Sequence, residues 1–186
     1  MATSPIEREV KLPFDSAEAA RAAVLAAGAT PLRPRRLQDD CLLDTPDGRL
    51  RSRGTALRVR TEAGTSRVTF KGPVQPGPMK LREELETVVG DGPLLLRIFE
   101  ELGFRPWFRY QKYREEFSLL DVIAAVDDTP MGAYVELEGS EAGIDAAAAR
   151  LGRTRADYVV QSYHTLFDLR RRRTGDRAAD MLFDGA

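Results

Sequence analysis

Glu7, Glu9 and Lys11 occupy every second position of one short segment, Ile6 to Leu12. In an extended strand, residues two apart point to the same side, about 6.5–7 Å apart per step, so both carboxylates and the amine share a face. Ile6, Val10 and Leu12 take the other face, with Arg8 the exception. The alternation returns along the chain. Arg58 and Arg60 oppose Leu57 and Val59, and Thr69 and Lys71 oppose Val68 and Phe70. Lys80 lies in line with Arg82, Glu84 and Glu86; Lys112, Arg114 and Glu116 make another row; Glu136 and Glu138 oppose Val135 and Leu137. Carboxylates are oxygen ligands suited to Mg²⁺ or Mn²⁺. Lys and Arg hold phosphate oxygens, bidentately in the Arg case. Rows of both signs therefore suit a polyphosphate carrying divalent cations better than any apolar ligand.

These rows need elements to carry them. The pattern predicts a strand over Ile6 to Leu12 that Pro13 stops, then a helix capped by Asp15 or Ser16 and closed at Gly28. Further strands are predicted at Arg36 to Asp44, Ala56 to Thr61, Arg67 to Lys71 and Lys80 to Val88, with turns at Pro46-Asp47-Gly48 and Ala63-Gly64-Thr65. The proline-rich stretch 72–78 reads as a loop, and Leu94 to Leu102 as a short helix closed by Gly103. Phe108 to Phe117 and Leu119 to Val126 form a predicted hairpin, followed by a strand at Ala133 to Glu138 and helices at Ile144 to Leu151 and Ser162 to Arg173. Seven or eight strands with four peripheral helices give an α+β fold whose sheet is expected to close on itself. Residues 1–173 are expected to form a single domain and 174–186 a flexible tail.

Any one charged row also suits an ordinary solvent-facing side of a sheet; across six rows, helices that pack on the apolar side of a barrel are expected to turn the charges inward. A polar lumen inside an apolar wall suits a barrel enclosing a ligand. Each buried ion costs several kcal/mol unless it is paired or coordinates something, so a metal-loaded polyanion gives the lumen its reason to exist.

The bulk numbers are consistent with this. Lys plus Arg total 28 against 29 Asp plus Glu, a net charge of −1, which argues against a general nucleic-acid binder. Cys41 is the one cysteine, so neither an internal disulfide nor a cysteine zinc site is expected. The N-terminus lacks a signal-peptide pattern, and no apolar run approaches the ~20 residues that span a bilayer. The expected setting is cytoplasmic.

In order, these residues resemble a known family. Glu7-Arg8-Glu9-Val10-Lys11 is similar to the ExExK signature of the CYTH superfamily, the triphosphate tunnel metalloenzymes. That superfamily includes class IV adenylyl cyclases, thiamine triphosphatases and inorganic tripolyphosphatases. Leu57 to Arg60 resembles its LRxR strand, Thr69 to Pro73 its TxKxP-like strand, Arg82 to Glu86 its RxExE strand and Lys112 to Arg114 its KxR strand. Asp127 and the run Gly132 to Glu138 resemble its late acidic segment, and the likeness covers about residues 6 to 170. It implies a closed eight-stranded antiparallel β-barrel, a tunnel holding a metal-bound triphosphate.

On this resemblance, Glu7, Glu9, Asp127, Glu136 and Glu138 would bind Mg²⁺ or Mn²⁺, with Asp128 standing in reserve for Asp127. Lys11, Arg58, Arg60, Lys71, Arg82, Lys112 and Arg114 would bind phosphates. Glu84 and Glu86 would orient basic neighbours or reach a second metal. Glu7, Glu9 and Lys11 form the expected catalytic set, although carboxylates beside Lys11 favour its protonated form and a phosphate-binding role. The expected partner is a small-molecule triphosphate, with no nucleic acid and no membrane, in a monomer or homodimer.

The expected reaction is hydrolysis, with conversion of ATP to cyclic AMP and diphosphate as the alternative. Class IV cyclases commonly carry a His-Phe pair before ExExK, which is missing here, and Leu42 stands where relatives often have tyrosine in a D-x-Y-x-D-T context. That second departure lowers a thiamine triphosphatase assignment. His164, the one histidine, reads as a surface or packing residue, and Trp107, Phe108 and Tyr110 read as core, with contact to a base as their alternative role. Tyr158, Tyr163 and Phe167 resemble the family's terminal segment, whose helix would plug one tunnel end.

Overall fold

A computed structural model of the chain describes residues 6–185. Its strands are β1 (Ile6–Phe14), β2 (Thr30–Asp44), β3 (Ala56–Glu62), β4 (Thr65–Lys71), β5 (Lys80–Val89), β6 (Arg105–Leu119), β7 (Val122–Thr129) and β8 (Gly132–Glu138). Its α-helices are α1 (Ala17–Ala26), α2 (Arg49–Ser52), α3 (Gly92–Glu101), α4 (Glu141–Arg150) and α5 (Tyr163–Thr174). The strands close into one antiparallel barrel in the order β1-β5-β4-β3-β2-β6-β7-β8. The expected α+β barrel is the fold observed.

The strands bury their apolar sides outward, under the helices. Val10, Leu12, Val135 and Leu137 pack with Val24 of α1 and Ile144 and Ala147 of α4. Leu43, Leu57 and Val59 pack with Leu95, Leu96 and Phe99 of α3. The alternate, charged positions are thereby left to the lumen. The register sets their neighbours: Lys11 lies opposite Glu136, Lys71 opposite Glu84 and Arg114 opposite Asp127.

Three boundaries differ from the sequence reading, each for a local reason. Pro13 does not stop β1, because β1 leaves β5 after Glu9 and Pro13 pairs only with Tyr134 of β8, where its missing N–H is tolerated. β2 begins at Thr30, its proline-rich start accommodated by register irregularities between Pro31 and Arg36. The turn at Pro46 to Gly48 leads into the unforeseen α2. There the buried Asp44 carboxylate accepts from the backbone N–H of Thr45, Leu50 and Arg51.

The segment expected as a flexible tail folds back on the barrel instead. β7 pairs with β6 only from Tyr113 onward, leaving an open edge above it. Met181 takes that edge, exchanging backbone hydrogen bonds with Arg109 and Gln111, and its side chain is buried. Open backbone polar groups and an apolar side chain together hold the segment in place.

α3 sits close on β4. A Cβ at Gly92 would lie 2.2 Å from Ser66 Oγ and 2.8 Å from Ser66 Cβ. Gly92→Ala is expected to cost about 1–3 kcal/mol by overpacking, read as a lower denaturation midpoint; an unchanged midpoint would show that α3 can slide on the barrel.

Candidate active site

The barrel encloses a cavity of about 740 Å³. All six charged rows reach it: Glu7, Glu9 and Lys11 from β1, Arg58 and Arg60 from β3, and Lys71 from β4. Lys80, Arg82, Glu84 and Glu86 reach it from β5, Lys112, Arg114 and Glu116 from β6, and Glu136 and Glu138 from β8.

Two expected residues are placed elsewhere. Asp127 is 0% exposed and lies behind the basic wall, outside the cavity lining. It accepts from Lys112 Nζ at 2.7 Å, from Arg114 Nε and Nη2 at 2.7 and 2.6 Å, and from Tyr163 Oη at 2.7 Å. Four donors occupy its two oxygens. Asp128 faces the other side of β7 and binds Arg35 at 2.9 Å, as alternation along a strand requires.

Asp40, which the sequence reading did not single out, is held in the same way on β2, on the other side of β6. Also 0% exposed, it accepts from Arg60 Nε at 2.9 Å and Nη2 at 3.1 Å, with Arg58 Nε 3.3 Å away. Its place beside Leu42, opposite the Arg60 row, was the available signal. Lys80 also proves central, paired with Glu9. Tyr163, first residue of α5, puts its ring 5.1 Å from Lys11 Nζ and 4.8 Å from Lys112 Nζ. The segment before it is tied to β1 by reciprocal backbone bonds between Val159 and Lys11. α5 therefore stands over this end of the tunnel.

The lumen carboxylates fall into two classes. Burial opposes charge on Glu9 and Glu136, but Lys11 together with Lys80 for Glu9, and Lys11 together with Arg114 for Glu136, hold them well below the usual carboxylate range. Glu7 behaves oppositely. Burial, then the neighbouring Glu84 and Glu138, push it up to about 8. Burial and the charges of Glu136 and Glu9 push Glu138 up to about 7. Around Glu7 and Glu138, negative charge is crowded without enough compensation.

The cations divide too. Burial works against Lys11, yet Glu136 and Glu9 outweigh it and keep it protonated well above the ordinary lysine range. Lys112 is lowered to about 8 by burial and Arg114, and Lys71 is lowered by burial and Arg58. Arg58 Nε is buried without a hydrogen bond, in spite of its closeness to Asp40. Such a wall has donors to give an anion.

The donor chemistry around Glu7, Glu84 and Glu138 fits a hard cation: oxygen ligands, partly desolvated and mutually repelling. Among the described residues no three acidic, histidine or cysteine side chains already stand as a complete metal site, so ligation needs side-chain movement.

Beyond the charges, one end of the cavity is lined by Leu42, Arg51, Trp107 and His164. Phe108 is core as expected, whereas Trp107, Tyr110 and His164 reach the lumen. Burial, with Arg51 and Arg171 and against Asp168, lowers the His164 pKa.

Comparison with known proteins gives a consistent picture. The sequence model of the CYTH domain matches residues 5–163. A Methanocaldococcus jannaschii protein named "putative adenylate cyclase" is 35% identical over 112 residues, 60% of this chain and 64% of its own length. The match thus spans just under two thirds of that relative. A Vibrio parahaemolyticus protein of similar name superposes with a TM-score of 0.76 at 19% identity, over 89% of this chain and 99% of its own. A Hippeastrum protein described as a "putative adenylyl cyclase" with dominant triphosphatase activity superposes at 0.65 and 19% identity, over 88% and 95% of the two chains.

Proposed function

Because the chain belongs to the CYTH domain family, we propose that its tunnel is the active site of a divalent-metal-dependent triphosphatase. The observation that carries this reading is the division of the lumen: paired cations on most walls, and a corner where negative charge is crowded around Glu7 and Glu138, beside a Glu84 that Lys71 and Arg82 compensate.

Glu7 and Glu138, with Glu9 and Glu136 beside them, would hold Mg²⁺ or Mn²⁺. The bound cation would supply charge neutralisation and water activation. Lys11, Arg58, Arg60, Lys71, Lys80, Arg82, Lys112 and Arg114 bind the phosphate chain and stabilise charge on the leaving diphosphate. Lys11 does so as a cation and not as a base, because Glu9 and Glu136 keep its proton on. Asp40 and Asp127 hold the arginine forks and Lys112 in place from behind, so little reorganisation is left for the moment of reaction. Water replaces diphosphate at the terminal phosphorus, releasing phosphate.

The relatives' names support cyclisation as a second reading: the ribose 3′-hydroxyl of ATP would attack the α-phosphorus and expel diphosphate. Product analysis separates the two. Tripolyphosphate, nucleoside triphosphates and thiamine triphosphate should be screened with Mg²⁺ and Mn²⁺. The expected result is metal-dependent phosphate release, with ADP and not cyclic AMP from ATP. Cyclic AMP plus diphosphate would replace hydrolysis by cyclisation, and no turnover with either metal would leave the tunnel a binding site only.

A further inference from the structure

Phosphate chemistry explains the charged walls of the tunnel but not its mouth. There Trp107 lines the cavity with Arg51 Cζ 4.4 Å from its ring and the His164 ring 4.6 Å away at 73°. Leu42 adds an apolar surface, and the register puts it directly opposite Arg58 of the phosphate wall. Arg51 is held in place: its Nε donates to the buried Asp44 at 3.0 Å, and the same carboxylate takes its backbone N–H at 3.1 Å. Three flat groups and an aliphatic floor therefore meet at one end of an otherwise ionic lumen.

An inorganic chain of phosphates gains nothing from such a surface. A planar ring does, through stacking on indole and imidazole and burial against Leu42. The size agrees, since about 740 Å³ falls among cavities that take drug-sized ligands of roughly 300–1,000 Å³. Charge narrows the ring further. Arg51 over the indole, with Arg58 close by, repels a cationic heterocycle such as a thiazolium, while the guanidinium's N–H groups match acceptor atoms on a neutral one. His164, which the sequence alone assigns to surface or packing, joins this wall through the placement of α5.

Resting on the triphosphate reading above, we propose that Trp107, Arg51, His164 and Leu42 form a stacking subsite for an uncharged heterocyclic base. The subsite makes the tunnel selective for nucleoside triphosphates over both tripolyphosphate and thiamine triphosphate. These residues determine specificity and take no part in the bond-breaking step.

Trp107 is the one tryptophan in the chain, so its emission reports on this site alone. The metal-free full chain is titrated with ATP, tripolyphosphate and thiamine triphosphate, following tryptophan fluorescence and calorimetric affinity, for the native protein, Trp107→Leu and Arg51→Gln. ATP should quench the emission and tripolyphosphate should not. Trp107→Leu should weaken ATP at least about fivefold more than it weakens tripolyphosphate, and Arg51→Gln should improve thiamine triphosphate relative to ATP. Equal losses for ATP and tripolyphosphate in a variant with native circular dichroism would overturn the subsite and leave the triphosphate tunnel standing. Quenching by tripolyphosphate equal to that by ATP would also overturn it. Absence of binding by all three ligands, both metal-free and after addition of Mg²⁺, would remove the triphosphate reading and the subsite together.

Discussion

Asp127→Asn is expected to lower the thermal midpoint by roughly 6–20 °C. Asp127 is fully buried and meets two cations and a phenol, with Glu136 as the other acidic partner of Arg114 among the described residues. Asparagine keeps the shape but removes the charge, leaving Lys112 and Arg114 buried with too little compensation. Breaking a buried ion pair from one side costs about 3–5 kcal/mol, and each kcal/mol moves the midpoint by about 2–4 °C in a chain of this size. Calorimetry with and without Mg²⁺ also tests the role. A ligand that binds only the folded state raises the midpoint by mass action. If Asp127 orients cations, the Mg²⁺ increment survives in Asp127→Asn. Loss of the increment would restore Asp127 to the metal set, and a midpoint within about 2 °C of the native protein would show that Lys112 and Arg114 find their counter-charge elsewhere.

Removing charge from the acidic corner should have the opposite effect on stability and a severe effect on turnover. Glu7, pushed up to about 8, and Glu138, pushed up to about 7, keep their protons in the metal-free fold at pH 5. The unfolded chain gives these protons up near 4.5, so it binds fewer protons than the fold between about pH 4.5 and 8. Each group's stabilising share is therefore present below pH 4.5 and lost as pH rises through the folded pKa. Glutamine does not titrate. The midpoints of Glu7→Gln and Glu138→Gln should gain on the native protein between pH 5 and pH 8, by a few °C, and then level off. With Mg²⁺ the order reverses, because cation binding removes the repulsion only where the carboxylates remain. Turnover of the preferred triphosphate should fall by about 100-fold or more, the scale on which removing a transition-state contact acts. A native-to-variant difference that stays flat from pH 5 to pH 8 would mean that Glu7 and Glu138 are ionised throughout, their charge already compensated without a cation.

How much of the site the sequence reveals depends on how far each residue's role is local. Alternation places Glu7, Arg58, Lys112 and Glu136 on one side of their strands, and the helices' need for the apolar side turns those charges inward. That argument uses only a period of two and the cost of burying charge, and the cavity contains every row it named. Asp127 and Asp40 also sit on inward-pointing positions, yet both lie behind the cations instead of beside the ligand space. A strand pattern gives the side of a sheet but not the depth within a lumen, which depends on which cation stands in front. Tyr163 and His164 were harder still. They lie in a helix, and their arrival over Lys11 and Trp107 depends on Val159 pairing with β1 and Met181 with β6.

The sequence by itself determined that six charged rows on seven or eight strands belong to a closed α+β barrel with ionic walls, because periodicity and burial act on each strand separately. The tertiary structure decided which carboxylates line the cavity and which lie behind the cations. It also decided that the mouth is aromatic, and that the last residues fasten to β6. These outcomes come from strand register and from the closing of the two ends of the chain around the barrel, where residues far apart in sequence compete for the same hydrogen bonds and counter-charges.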